Sequence, residues 1–196
     1  FDEYFGSKTL GEAITPTIIT AFDLKLRRVK MFKSWTEGYL PVRRVASVTS
    51  AAPTYFPAES LEGRWYLDGA VSTNNPVLIA YSEAKRLWPN EDIRILSIGT
   101  GFNNRQLEGR KARRWGSLAW LNAGIIQILM ESNIEHVIAK SLFEEKYLRV
   151  DSPLKGIKSN FDDTTERNLK GVKELGHFWW EDFGEETIKF LEDELW

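Results

Sequence analysis

With 196 residues, 42% of them hydrophobic and 28% charged, the chain has the composition of an ordinary globular protein, long enough to bury a sizeable core. Its formal net charge of −2 gives no electrostatic case for a nucleic acid partner. It has no cysteine, which excludes disulfides and thiolate metal sites and fits a reducing, cytoplasmic setting. No run of about eighteen apolar residues occurs, so no segment reads as a membrane-crossing helix. Basic residues gather at 25–33 and at 105–114, and each cluster reads as a solvated surface ahead of an anionic-membrane or phosphate contact. Of the eight tryptophans, most belong in a core, while exposed ones would suit work at a lipid interface.

In chain order, Ser7 is placed to cap a short helix through Ile14, which Pro16 forbids from continuing. Residues 17–23 are rich in β-branched side chains and predict a buried strand, with 28–32 as its hairpin partner. The turn between them has no glycine, which leaves its type open. A loop around Gly38 leads to a helix from Pro41, with Val42, Val45 and Ala46 on one face and Pro53 at its end. Beyond Tyr55, Phe56 and Pro57, the run Arg64-Trp65-Tyr66-Leu67 predicts a strand that delivers Asp68 to a turn at Gly69.

Asn75 and Pro76 then open a helix whose apolar face is Val77, Ala80, Tyr81, Ala84, Leu87 and Trp88. Residues 93–98 form a near-continuous apolar run, as expected of a strand covered on both faces. Strand, helix and strand in that order predict a βαβ unit and a parallel sheet. Residues 115–143 predict one or two helices, and 147–150 a last strand. Asp163 and Glu166 have capping-box spacing and open a helix weakened by Gly171 and Gly176, and 185–195 predicts a separate terminal amphipathic helix. No repeat, linker or low-complexity tract appears, so residues 1–196 are expected to form one domain.

Little of the chain carries chemistry by pattern alone. Gly99-Thr100-Gly101 follows a strand, but it has neither the Lys-Ser/Thr of a phosphate loop nor a third glycine opening a helix. His136 and His177 fall inside expected helices rather than on a loop at strand ends, and they share no carboxylate cluster at metal-ligand spacing. Neither metal nor cofactor is expected. Asp68-Gly69 alone is a turn dipeptide, and Asp23 and Asp92 are the competing carboxylates. Asp23 also ends a strand and reads as a turn-stabilising residue.

Four blocks in order make Asp68 more specific: Ile18-Ile19-Thr20-Ala21-Phe22-Asp23-Leu24; Ala46-Ser47 with Pro53-Thr54-Tyr55-Phe56-Pro57; Tyr66-Leu67-Asp68-Gly69-Ala70 with Asn74-Asn75-Pro76; and Ile95 through Gly101. Together these resemble the later half of patatin-like lipid acyl hydrolases, well over residues 5–105 and loosely beyond. The resemblance implies an α/β fold, a three-layer sandwich with a mostly parallel sheet. It also implies hydrolysis of phospholipids or other carboxylic esters by a serine–aspartate dyad. Asp68 maps onto the catalytic base, with Gly69 and Ala70 completing its motif. The family's Gly-x-Ser-x-Gly nucleophile segment does not occur anywhere in the 196 residues.

The chain therefore reads as a C-terminal portion, inactive alone and incomplete on its N-terminal side. Its expected partners are a lipid or ester substrate and an upstream segment or second chain that brings the serine, with peripheral membrane contact allowed. The alternative is a non-catalytic module of the same family that binds lipid or a protein. A nucleotide-binding α/β domain lacks its motif.

Overall fold

The run Ile18-Ile19-Thr20 begins β1 (Ile18–Asp23), which pairs antiparallel with β2 (Arg28–Lys33). The hairpin turn works without glycine because Arg27 itself takes a left-handed conformation (φ 52°) and its N–H reaches the Asp23 carbonyl at 2.8 Å. In the computed structural model, residues 1–103, 106–125, 128, 133–154, 156–157 and 163–192 are described. They fall into two units, the first built chiefly on Phe1–Pro76 and the second on Val77–Ile125 and Asn133–Trp196.

In the first unit, β4 (Arg64–Asp68) pairs antiparallel with β1 on one side and with β3 (Glu59–Leu61) on the other, giving the sheet order β2-β1-β4-β3. Alternation along the strands sends Ile19, Ala21, Phe32 and Tyr66 to one face. Across that face packs α2 (Val42–Thr49), whose Val45 and Val48 are fully buried. Leu10, Leu40 and Leu61 complete the core, and the rings of Phe32 and Tyr66 meet edge to face at 5.5 Å. Each large apolar side chain buried here contributes about 1.5–3 kcal/mol.

Several local expectations are corrected in this unit. Helix α1 (Asp2–Phe5) comes first, and the next element is a 3-10 turn, Leu10–Glu12. Its cap is Thr9 rather than Ser7, because the Glu12 carboxylate accepts from the Thr9 backbone at 2.6 Å and from its hydroxyl at 3.0 Å. Helix α2 ends at Thr49, before Pro53 can act; the Ser50 hydroxyl donates back to the Ala46 carbonyl at 2.8 Å. Strand β3 was not expected, being short and polar except for Leu61.

In the second unit, β5 (Ile95–Ile98) and β6 (Tyr147–Val150) pair in parallel. The connection between them carries α4 (Gly109–Ala112), α5 (Ser117–Asn122) and α6 (Ile134–Phe143). A small core gathers Val77 of α3 (Val77–Leu87), Ala139 and Tyr147, with Leu78, Ile95 and Phe143 against them. The βαβ expectation is corrected: β5 pairs with β6, and β4 belongs to the antiparallel sheet. Ile98 is exposed, so β5 is not covered on both faces. The helical face drawn for α3 is also revised, since Leu87 and Trp88 are exposed and Glu83 is buried, 3.3 Å from Arg86.

A single helix, α7 (Glu166–Glu192), replaces the two expected near the end of the chain. Asp163 stands before it and accepts from the Thr165 hydroxyl and backbone, an Asx-type turn rather than a reciprocal box. Residues 193–195 of the expected terminal helix lie outside the described residues, as do several positions within 126–132.

The protein is α/β, as expected. The described residues contain one antiparallel four-stranded sheet and one parallel pair, so a mostly parallel sheet is not what they display.

Candidate active site

Asp68 ends β4 opposite Ala21 of β1, a residue with no exposed surface. It shares strand parity with Tyr66, so its side chain is directed to the face that α2 covers. The backbone there is held from two directions. The Asp68 N–H donates to the Ala51 carbonyl at 3.0 Å, just beyond the end of α2. The Thr49 hydroxyl donates to the Thr20 carbonyl at 2.7 Å, tying that helix end to β1.

The chain then enters a 3-10 turn, Gly69–Val71, with Asp68 as its cap. Gly69 is required by close approach. A Cβ at that position would lie 2.4 Å from Thr20 Oγ1 and 2.6 Å from the Thr20 carbonyl oxygen, distances that no side chain tolerates. Ala70 supplies the N–H that donates to Asp68 Oδ1 at 2.7 Å. Thus all three motif residues meet at one turn, and each has a physical task there.

The other carboxylate oxygen, Oδ2, accepts no hydrogen bond among the described residues. Half-burial pushes the Asp68 carboxyl above the usual aspartate value, opposed by the Ala70 hydrogen bond, which favours the ionised form. The result is a partly desolvated carboxyl with one oxygen anchored and the other available. Such a group is a stronger base than an ordinary exposed aspartate.

The competing carboxylates behave otherwise. Asp23 is 1% exposed and accepts from the backbones of Lys25 and Leu26, each at 2.9 Å, and from Arg64 Nη1 at 3.1 Å. The Leu26 N–H leads the effects that lower its carboxyl, partly opposed by burial. It stabilises the hairpin turn, as its position suggested. Asp92 is exposed and paired with Lys146 at 2.6 Å.

Of the apolar side chains nearest Asp68 in the sequence pattern, Leu67 is partly buried, whereas Tyr55, Phe56 and Trp65 are exposed. The segment that carries Tyr55 and Phe56 does sit beside the site in the chain. Their N–H groups donate to the Ala52 carbonyl at 3.2 and 2.9 Å, and Thr54 takes a left-handed φ of 77°, unusual for a β-branched residue.

Elsewhere, the Gly99-Thr100-Gly101 loop is committed internally. Its Gly99 N–H donates to the Val150 carbonyl at 2.8 Å and its Gly101 N–H to Asp151 Oδ1 at 3.0 Å, which leaves no phosphate cradle. His136 lies 3.0 Å from the Tyr147 hydroxyl. Burial leads the effects that lower its pKa, with Arg149 and Lys140 adding to it. His177 is exposed on α7. Among the described residues no cluster of three or more metal-ligating side chains occurs. No described helix is long and apolar enough to cross a membrane.

A short helix and then a strand that delivers Asp68 to a turn at Gly69 follow in the order the sequence predicts. Residues 1–81 match the family described as patatin-like phospholipase. The chain is 31% identical to patatin-like protein 1 of Arabidopsis thaliana, over 87% of this chain and 51% of that protein. With patatin-like protein 3 of the same plant the identity is 29%, over 88% and 50%. With patatin-like protein 2 of Oryza sativa subsp. indica it is 26%, over 89% and 54%. These matches assign the chain to the patatin-like family. The chain spans about half the length of the curated relatives it matches.

Sequence reasoning named Asp68, Gly69 and Ala70 but missed the residues behind them. Thr20, Thr49 and Ala51 act through contacts between distant parts of the chain, and no local signal in the sequence marks them.

Proposed function

We propose that the protein is a lipid acyl hydrolase of the phospholipase A or esterase type, in which Asp68 is the general base of a serine–aspartate dyad. The serine would be supplied by a segment outside these 196 residues, because no Gly-x-Ser-x-Gly occurs within them. The observation that carries the reading is the Asp68 carboxyl itself. It is half-buried, raised above the usual aspartate value and anchored through Oδ1 alone.

In the proposed reaction, Oδ2 accepts the hydroxyl proton as the serine oxygen attacks the ester carbonyl carbon. The proton passes to the departing alcohol or lysolipid as the acyl-enzyme forms. Water then attacks the acyl-enzyme with the same carboxylate as base, which frees the fatty acid and restores the serine. The Ala70 N–H fixes the carboxylate plane through both steps. The proposal includes a cytoplasmic protein and, for the whole molecule, the three-layer, mostly parallel arrangement that the family implies.

The test is hydrolysis of a chromogenic short-chain ester by the intact protein. Asp68→Asn, nearly isosteric, should retain the fold and lose turnover. Unchanged turnover in that variant would refute the assignment of the base.

A further inference from the structure

The tip of the β1–β2 hairpin combines features that neither folding nor the proposed chemistry accounts for. Leu24 and Leu26 are 40% and 43% exposed there, and Trp65, whose carbonyl accepts from the Leu24 N–H at 3.1 Å, is 57% exposed. None of the three belongs to the core of this unit. Interleaved with them are Lys25, Arg27 and Arg28, all exposed, and none is ion-paired among the described residues. Arg64 on the adjacent strand β4 is held by the buried Asp23. Asp23 is thereby occupied and leaves the tip cations unneutralised. The neighbouring acid, Glu62 in the β3–β4 turn, accepts from the Tyr39 hydroxyl at 3.1 Å.

The sequence alone ranks a solvated surface above an anionic-membrane or phosphate contact for this basic cluster. A hydrated surface gains nothing from two leucines at a turn, where polar residues serve as well. Three unpaired cations around two aliphatic side chains and an indole match the anionic headgroup region of a bilayer. Leucine can enter the acyl boundary there, tryptophan prefers the interface, and lysine and arginine meet phosphate and carboxylate. The tip is also well anchored for that task. Asp23 clamps the turn through the Lys25 and Leu26 backbones, and Arg27 fixes its left-handed corner.

We infer that the Leu24–Arg28 hairpin tip with Trp65 is a docking surface for an anionic lipid bilayer. The inference does not rest on the hydrolase reading, since a non-catalytic lipid-binding protein would use it equally.

The test is flotation of the intact protein with vesicles of phosphatidylcholine alone or mixed with phosphatidylserine, at low and high salt. Two variants are compared with wild type: Lys25→Gln/Arg27→Asn/Arg28→Gln, which removes charge and keeps a residue tolerant of positive φ at 27, and Leu24→Ser/Leu26→Ser. Circular dichroism and melting check that each is folded. Wild type should bind the phosphatidylserine vesicles and lose binding at high salt. Each cation near an anionic leaflet is worth about fivefold, so the charge variant should bind about 100-fold more weakly. The leucine variant should bind more weakly than wild type at low salt. The inference is overturned if wild type ignores phosphatidylserine vesicles, if it binds neutral vesicles equally well, or if the folded charge variant binds as wild type does. A loss of ester turnover with vesicle binding intact would touch only the hydrolase reading.

Discussion

Asp23 and Asp68 end adjacent antiparallel strands on the same face of one sheet, two register steps apart. They have opposite fates. Asp23 is fully buried and surrounded by donors, two backbone N–H groups and a guanidinium, and its carboxyl is held below the usual aspartate value. Asp68 is half-buried with a single donor, and its carboxyl is raised. Burial alone does not decide how a carboxylate behaves; the balance between lost hydration and supplied hydrogen bonds does. One aspartate is thereby a structural anion, and the other is left able to take a proton.

The largest expected effect of breaking this contrast is on chemistry. Asp68→Asn in the intact protein should lower ester hydrolysis roughly 100-fold or more, read by turnover of a chromogenic ester. Its effect on stability should run the other way. A raised folded-state pKa favours the protonated form, so the contribution of Asp68 is present below its unfolded pKa and is lost as pH rises through the folded one. At neutral pH the ionised carboxylate is a burden, and Asp68→Asn should melt no lower than wild type.

Next in size is Gly69→Ala, which drives a methyl group against Thr20 and should cost about 3 kcal/mol in denaturant unfolding. Turnover should fall with it, because the turn that aims Asp68 is the part displaced. Asp23→Ala should follow at about 2 kcal/mol, through the loss of charge-assisted hydrogen bonds at the turn. The pH sign is opposite to that of Asp68. With its folded pKa lowered, Asp23 stabilises above its unfolded value, and the gain is lost as pH falls through the folded one. The difference between wild type and Asp23→Ala should therefore shrink in acid. The smallest expected effect is Thr54→Gly, which relieves a left-handed threonine and should raise stability by roughly 0.5 kcal/mol, measured by chemical denaturation.

Strand β1, its hairpin partner, β4 ending at Asp68, and β5 and β6 were all legible, because strand composition and turn dipeptides are local signals. The direction of pairing was not. Which strand lies beside β5 depends on contacts more than fifty residues away in the chain, and the short, polar β3 carries no pattern at all. Gly171 and Gly176 suggest a weakened helix, yet α7 runs unbroken from Glu166 to Glu192. Interior glycines cost about 1 kcal/mol each, but they also admit neighbours, as Gly184 does for the Trp180 ring. At the site, Asp68-Gly69-Ala70 was readable only as a motif. The reason for its glycine, the passage of Thr20 within 2.6 Å of where a Cβ would stand, is a fact of tertiary packing.

The contrast between the two aspartates is tested most directly by a carbon-detected NMR titration that follows the carboxyl carbons of Asp23 and Asp68 in one sample. Asp68 should titrate above the usual aspartate value and Asp23 below it, with the two curves separated and in that order. Coincident curves, or Asp23 titrating above Asp68, would contradict the account of how this sheet edge makes one carboxylate structural and the other a base.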